Sequence, residues 1–279
     1  MEEYNDRFSQ RHVVIFSLFI GFIFVTIFGF GFFTILASIL MPQFMLAIPS
    51  IEYFLSSINN FIAFIFLILI IKKIGLFDNI PWNFSGVSKG LLIGFTLILF
   101  TILQMLLIFI SAPDKTIVLG LIPMINTIIY CISIALWEET LCRGLLLTNM
   151  LKKWGDTKKG MIISIVLSSV IFGGFHIISA VNGNLEGALI QVMYASIMGI
   201  MLAVIYLKTK SLWSAIVLHI ILNFAAYSMP YLMPYSAGIN PVFFIIMLIL
   251  FNALWLIISY FILLKTDVSE VKELLSFNK

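Results

Sequence analysis

The chain is a succession of long apolar stretches separated by short polar segments. A helix needs about 20 apolar residues to cross a bilayer, and eight stretches approach or exceed that length. They cover residues 12–40, 53–71, 90–111, 119–150, 161–181, 187–207, 212–229 and 241–264. Prolines lie between these stretches or at their edges, where helices end. The exception, Pro123, falls near the start of the fourth stretch, where its missing N–H is tolerated. The pattern predicts an all-α, polytopic membrane protein of about eight transmembrane helices.

Composition supports a chain that lies mostly in lipid. Of its 279 residues, 62% are hydrophobic and 10% are charged, whereas a soluble domain carries about 25% charged residues. We predict a single membrane domain over residues 1–279, with short polar ends at 1–11 and 266–279. The first apolar run, 12–40, exceeds the roughly 7–15 residues of a signal-peptide core. We therefore expect it to be retained as the first helix.

The basic residues predict the orientation of the chain. Lysine and arginine favour cytoplasmic segments, and 14 of the 16 fall on one side of an eight-span arrangement. These 14 lie within residues 7–11, 72–89, 152–159, 208–210 and 265–279. The other two are Lys115, on the opposite side, and Arg143, within a helix. Both termini are therefore predicted to be cytoplasmic. Lysine outnumbers arginine 13 to 3, which favours an AT-rich genome and a bacterial cell membrane.

One cluster of charged residues stands inside the fourth apolar stretch, in the sequence EETLCR at 138–143. Ionisable groups within a membrane are costly and indicate function. Glu139 and Arg143 are four residues apart, share a helix face and can form an ion pair. Glu138 faces about 100° away and is free to act as a base. The structural alternative is that both acids lie near water at a cytoplasmic helix end.

Two further stretches place a histidine in an apolar helix. Phe172 and His176 are four residues apart in FGGFH, and His219 and Asn223 have the same spacing in HIILN. The alternative role of each pair is hydrogen bonding that packs one helix against another. At about 1.5 Å per residue, Glu138, His176 and His219 lie roughly 21, 25 and 13 Å from the lysine-rich loops. These three groups can therefore meet within the bilayer.

Together the three motifs resemble the CPBP family of CAAX proteases and bacteriocin-processing enzymes, also called the Abi family. The family pattern is two glutamates with an arginine four residues after the second, then F-x-x-x-H, then H-x-x-x-N on a later helix. In this chain the motifs stand in that order at 138–143, 172–176 and 219–223, each on a separate helix. The resemblance extends over about 117–229, which it identifies as the catalytic core.

The resemblance implies an intramembrane endopeptidase. Glu138 and His176 would activate a water molecule, which attacks the scissile carbonyl. His219 and Asn223 would contact the carbonyl oxygen and stabilise the oxyanion. In the alternative mechanism, Glu138, His176 and His219 would bind a divalent metal ion such as zinc, whose bound water attacks. Both mechanisms assign a supporting role to three neighbours: Glu139, Arg143 and Phe172.

The expected substrate is a membrane-associated peptide or protein in the lipid bilayer. It is either a lipidated C-terminus of the CAAX type or a bacteriocin, leader or signal peptide. No basic block indicates nucleic acid as a partner. Two other functions remain open: a non-catalytic bacteriocin-immunity or scaffold protein, and a proton-coupled transporter. A binding protein should tolerate Glu138→Gln, whereas a protease should not.

Overall fold

The structure, a computed structural model, describes residues 12–24, 32–41, 50–111, 120–232 and 241–276. Every regular element in these ranges is helical, which confirms the all-α prediction. The α-helices are α1 (Val13–Phe24), α2 (Phe32–Leu40), α3 (Ile51–Lys73), α4 (Val87–Ile93), α5 (Phe95–Ser111), α6 (Leu121–Glu139), α7 (Thr148–Trp154), α8 (Lys158–Phe175), α9 (Leu185–Thr209), α10 (Leu212–Leu232), α11 (Pro241–Leu264) and α12 (Val268–Leu275).

Five helices of the described chain are each long and apolar enough to cross a membrane. The pair α4 and α5, bent by 65°, makes a sixth when counted as one span. The bend lies at Gly94, where a Cβ atom would come within 2.6 Å of Leu218 on α10. The predicted span 12–40 contains α1 and α2, but residues 25–31 between them are outside the described ranges. The count of eight therefore stays a prediction.

The fourth predicted span is one 34-residue helix, Leu121–Trp154, with a π-helical segment in its middle. This π segment, Thr140–Leu147, starts directly after the two glutamates. Single turns of this kind widen the helix and occur frequently at functional sites. Thr148 donates a hydrogen bond of 2.8 Å to the carbonyl oxygen of Arg143, and its hydroxyl lies 2.9 Å from that of Tyr206 on α9. A contact between helices thus supports the wide turn.

The lysine-bearing loops converge at one end of the bundle, which we call the lysine end. Lys208 forms an ion pair of 2.6 Å with Glu270 of α12. Lys89 donates to the carbonyl of Lys208 at 2.9 Å, and Lys158 donates to that of Leu264 at 3.3 Å. The predicted polar end 266–279 therefore includes a helix, α12, that packs on the bundle. This convergence agrees with the sidedness of the basic residues in the sequence.

Candidate active site

The sequence-predicted residues surround one cavity of about 590 Å³ in the middle of the bundle. Its walls come from α3, α5, α6, α8, α9, α10 and α11, together with the π segment and the 3₁₀ turn His176–Asn182 that follows α8. The lining includes five of the seven predicted residues: Glu138, Phe172, His176, His219 and Asn223. The other two, Glu139 and Arg143, are buried behind this lining. The lining thus holds the four residues predicted to react, together with Phe172, which was predicted to support them.

Behind the cavity wall, a buried ion pair confirms the predicted contact between Glu139 and Arg143. Arg143 donates to the Glu139 carboxylate at 2.8 Å and to the carbonyl oxygen of Gly199 at 3.0 Å. Its guanidinium also lies 4.8 Å from the centre of the Phe172 ring. Glu139 is 0% exposed and Arg143 is 2% exposed. A charge buried this deeply is tolerated only when it is paired and hydrogen-bonded, and these contacts meet that need.

The same carboxylate orients His219. Its Nδ1 lies 2.8 Å from Oε1 of Glu139, the oxygen that also accepts from Arg143. A carboxylate that is paired with arginine is ionised and can only accept, so Nδ1 carries the proton. Nε2 lies 3.6 Å from the Glu138 carboxylate at the cavity. In neutral His219, Nε2 therefore carries a lone pair and accepts hydrogen bonds. It becomes a donor only when the ring is doubly protonated.

His176 stands where α8 ends and the 3₁₀ turn begins. Its Nδ1 lies 3.1 Å from the carbonyl oxygen of Phe172. A carbonyl only accepts, so Nδ1 is the donor and Nε2 is left with a lone pair. The Phe172 ring lies between the two histidines, with its centre 5.1 Å from that of His176 and 6.0 Å from that of His219. His176 can therefore accept a proton or a hydrogen bond from a water molecule in the cavity.

Asn223 follows His219 by one turn of α10 and supplies a donor. Its Nδ2 is buried and has no hydrogen-bond partner among the described residues. Buried amide groups usually have a partner, and each exception calls for an explanation. A substrate carbonyl oxygen in the cavity would provide one. The site thus combines a carboxylate, an imidazole acceptor and an amide donor.

The glycines of FGGFH have different roles. A Cβ atom at Gly173 would collide with the hydroxyl of Ser196 and come within 2.5 Å of the carbonyl oxygen of Val192, both on α9. A Cβ atom at Gly174 would meet nothing within 4 Å. The close approach of α9 to α8 therefore depends on Gly173 and not on Gly174. That approach places His176 beside the cavity.

Sequence reasoning missed a cluster of tyrosines next to the site. Tyr130 stacks on Tyr53 with ring centres 4.8 Å apart, and Tyr227 packs edge-on against Tyr130 at 4.9 Å. Tyr130 and Tyr227 line the cavity. The lining also includes uncharged amide and hydroxyl side chains: Ser56, Asn60, Gln104, Ser179, Gln191 and Tyr194. The sequence signal that could have indicated these polar lining residues was the presence of isolated amide side chains within otherwise apolar helices.

The geometry of the predicted metal ligands is a separate question. Within the part of the chain that the structure describes, no group of three or more His, Cys, Asp or Glu side chains is arranged to hold a metal ion. Glu138, His176 and His219 thus line one cavity without forming a three-residue ligand set. The metal-dependent alternative stays a prediction.

Comparison with known families places these motifs in context. Residues 120–225 match the family model described as type II CAAX prenyl endopeptidase Rce1-like. This segment, less than half of the chain, is similar to that family. The match contains all three motifs and confirms the resemblance to CAAX proteases. The Rce1-like segment indicates a protease, and together with the apolar helices it indicates a multi-pass integral membrane protein. Neither a curated protein nor a solved structure matches this chain.

Proposed function

We propose that this protein hydrolyses a peptide bond of a membrane-associated peptide inside the cavity, with Glu138 as the base. The observation that carries the proposal is the set of groups around the cavity. Glu138 and the Nε2 atom of His176 accept protons, and the amide of Asn223, which has no partner among the described residues, donates. The buried pair of Glu139 and Arg143 leaves Glu138 as the acidic group at the cavity. These are the elements that peptide hydrolysis by an activated water needs.

The proposed reaction proceeds in two steps. A water molecule between Glu138 and His176 transfers a proton to Glu138 while its oxygen bonds to the scissile carbonyl carbon. The carbonyl oxygen becomes an oxyanion and accepts a hydrogen bond from Nδ2 of Asn223, and also from Nε2 of His219 when that ring is doubly protonated. The C–N bond then breaks as Glu138 returns its proton to the leaving amine. The carboxylate is regenerated, and the products are an acid and an amine.

The proposed substrate is a lipidated C-terminus or a bacteriocin, leader or signal peptide held at the membrane. The uncharged amide and hydroxyl groups of the lining suit an extended peptide, whose backbone offers both N–H and C=O groups. A divalent metal ion, if bound, would supply Lewis acidity and an activated water. The effect of a chelator on cleavage distinguishes the metal mechanism from water activation by Glu138 alone.

The decisive test compares wild type, Glu138→Gln and Asp156→Asn, reconstituted in vesicles with a panel of membrane-bound peptides. General base catalysis contributes roughly 10²–10⁴-fold in rate, and we expect Glu138→Gln to lose activity by that factor. Asp156 is an exposed acid in the loop between α7 and α8, so Asp156→Asn should stay within about twofold of wild type. Each assay is run with and without a chelator, followed by added zinc.

Undiminished cleavage by Glu138→Gln would remove Glu138 as the base. A folded wild type that cleaves nothing, with a cellular phenotype that survives Glu138→Gln, would instead favour a non-catalytic immunity or scaffold role. Loss of cleavage on chelation, reversed by zinc, would favour the metal mechanism.

A further inference from the structure

Exposure of the cavity lining changes systematically along the helices. On the fourth span, Leu141 and Cys142 are buried, whereas Tyr130 is half-buried. On α9, Met198 is buried and Gln191 is exposed. In both helices the more exposed lining residue lies farther from the lysine end. Among the residues that the structure describes, the cavity lining is thus closed toward the lysine end and open in the other direction.

The other walls show the same gradient. On α10 the lining changes from buried His219 to exposed Ala226. Three further helices each pair a buried lining residue nearer the lysine end with a half-buried one farther away: Asn60 with Ser56 on α3, Phe100 with Gln104 on α5, and Leu248 with Phe244 on α11. Helices that cross the bundle in opposite directions show the same change in exposure, so this gradient is a property of the cavity and not of a single helix.

Chain distances place the opening far from the lysine end. Gln191 precedes Lys208 by 17 residues on α9, which is roughly 26 Å of helix. Ala226 follows Leu212 by 14 residues on α10, which is roughly 21 Å. The span of a bilayer core is about 30 Å. The opening therefore lies near the membrane surface opposite the lysine end.

We propose that the substrate enters this cavity from the extracytoplasmic side of the membrane. The lysine end is cytoplasmic by the distribution of basic residues, and the opening lies at the other end. The inference rests on the proposed protease function and narrows its substrate class. It favours a bacteriocin, leader or signal peptide that is crossing or has crossed the membrane. A lipidated C-terminus at the cytoplasmic surface does not reach this opening.

Cysteine labelling in intact cells tests the side of the opening. The native cysteines, Cys131 and Cys142, are free and buried, and Cys142 lines the cavity, so the unmodified chain is labelled in parallel as the background for every variant. We would introduce Gln191→Cys or Ala226→Cys at the opening, and Lys159→Cys, an exposed position at the lysine end, as the matched control. A membrane-impermeant maleimide should label the first two in intact cells. It should label Lys159→Cys only after permeabilisation.

A second reagent tests the connection to the interior. Asn223→Cys, half-buried deeper in the cavity, should react with a small impermeant methanethiosulfonate in intact cells, at least tenfold more slowly than Gln191→Cys. Labelling of Gln191→Cys and Ala226→Cys only after permeabilisation would overturn the proposal, as would no labelling of either under both conditions. Labelling does not require cleavage. Extracytoplasmic labelling of a protein that cleaves nothing would therefore reject the protease function and support the position of the opening. Cleavage by a protein that is labelled only from the cytoplasm would support the protease function and reject the position of the opening.

Discussion

At the residue scale, one carboxylate oxygen connects the buried charge to the catalytic chemistry. Oε1 of Glu139 accepts from both Arg143 and His219, while Oε2 has no hydrogen-bond partner within the described ranges. Arg143 is fixed in turn by the carbonyl oxygen of Gly199. Arg143 therefore holds the Glu139 carboxylate in place, and that carboxylate sets the tautomer and direction of His219. A group that does not line the cavity thus determines what a lining histidine can do.

Removing one member of this pair should destabilise the protein strongly. Glu139→Gln leaves a buried guanidinium uncompensated and Arg143→Met leaves a buried carboxylate, and each loss should cost about 3–5 kcal/mol. The double variant Glu139→Gln/Arg143→Met should cost clearly less than the sum of the two single changes. Unfolding in detergent, followed by denaturant or temperature, measures these differences.

The matched control is the exposed ion pair between Lys210 and Glu273, of which Glu273 is 57% exposed. Removing it with Lys210→Met should change stability by no more than about 1 kcal/mol. Additive losses for the Glu139 and Arg143 variants would mean that these residues do not act as a pair.

The identity of these residues follows from the sequence, but their hydrogen bonds do not. Spacing alone predicts that Glu139 and Arg143 meet, and the structure confirms it. The carbonyl of Gly199 comes from a helix 56 residues away, and His219 reaches Glu139 across 80 residues. Such contacts depend on how helices pack, which helical periodicity does not specify.

At the element scale, the approach of α8 to α9 positions His176. The approach occurs at Gly173, three residues before His176, where the facing backbone of Val192 leaves no room for a side chain. Small residues allow helices in a membrane to approach in this way. The next glycine, Gly174, faces open space. The chain thus offers two adjacent glycines with different surroundings.

We expect Gly173→Ala to impair both packing and cleavage. The added methyl group would push against Ser196 and Val192, a strain that typically costs about 1–3 kcal/mol. Because His176 lies three residues later, its displacement should lower kcat by at least about tenfold. Gly174→Ala is the control and should retain both the melting temperature and kcat of wild type. Equal behaviour of the two variants would show that the contact at Gly173 does not position the site.

The π segment is a feature that the pattern of apolar residues does not predict. Apolar residues predict a continuous helix over 119–150, and the structure has one over Leu121–Trp154. The wide turn within it is stabilised by Thr148, whose hydroxyl contacts Tyr206 on another helix. No local signal marks such a turn, because the partner that stabilises it is 58 residues away.

At the scale of the whole molecule, the two ends of the bundle differ. The lysine end is covered by α12, which begins with a capping box of Asp267 and Glu270 and is held by Lys208. A hydrogen bond from the backbone N–H of Ser269 lowers the pKa of Asp267 below its ordinary value of 3.8. The opposite end carries the more exposed lining of the cavity. The lysine end therefore closes the bundle, and the opposite end gives access to the cavity.

The cap of α12 should make its attachment sensitive to acid. The folded pKa of Asp267 is lowered, so its stabilisation is present above the ordinary value of 3.8 and is lost as the pH falls through the folded value. A spin label at Ser276→Cys, an exposed position after α12, should therefore become more mobile as the pH falls below about 4.

Asp267→Asn is the control, because asparagine also caps helices but does not titrate. The two proteins differ at this residue alone, so the difference between the two pH curves isolates Asp267. Identical curves for wild type and Asp267→Asn would mean that the cap does not control α12.

The sequence predicts the large-scale features whose cause is local. Apolar stretches predict the helices, and the basic residues predict that their loops gather at one end, as the contacts of Lys89, Lys158 and Lys208 bear out. The helix α12 was not predicted, because half of its eight residues are polar and its apolar side matters only against the bundle. The direction in which the cavity opens depends on burial along six helices at once, and no single stretch of sequence contains it.

The cavity also has a pharmacological consequence. Its volume of about 590 Å³ falls within the roughly 300–1,000 Å³ of sites that hold drug-sized molecules. Its lining combines aromatic rings with a few amides and hydroxyls, the mixture that orients such ligands. An inhibitor that enters beside Gln191 would pass Tyr130 and Tyr227 before it reaches Glu138. With the opening on the outer surface, that compound would act without first crossing the lipid bilayer.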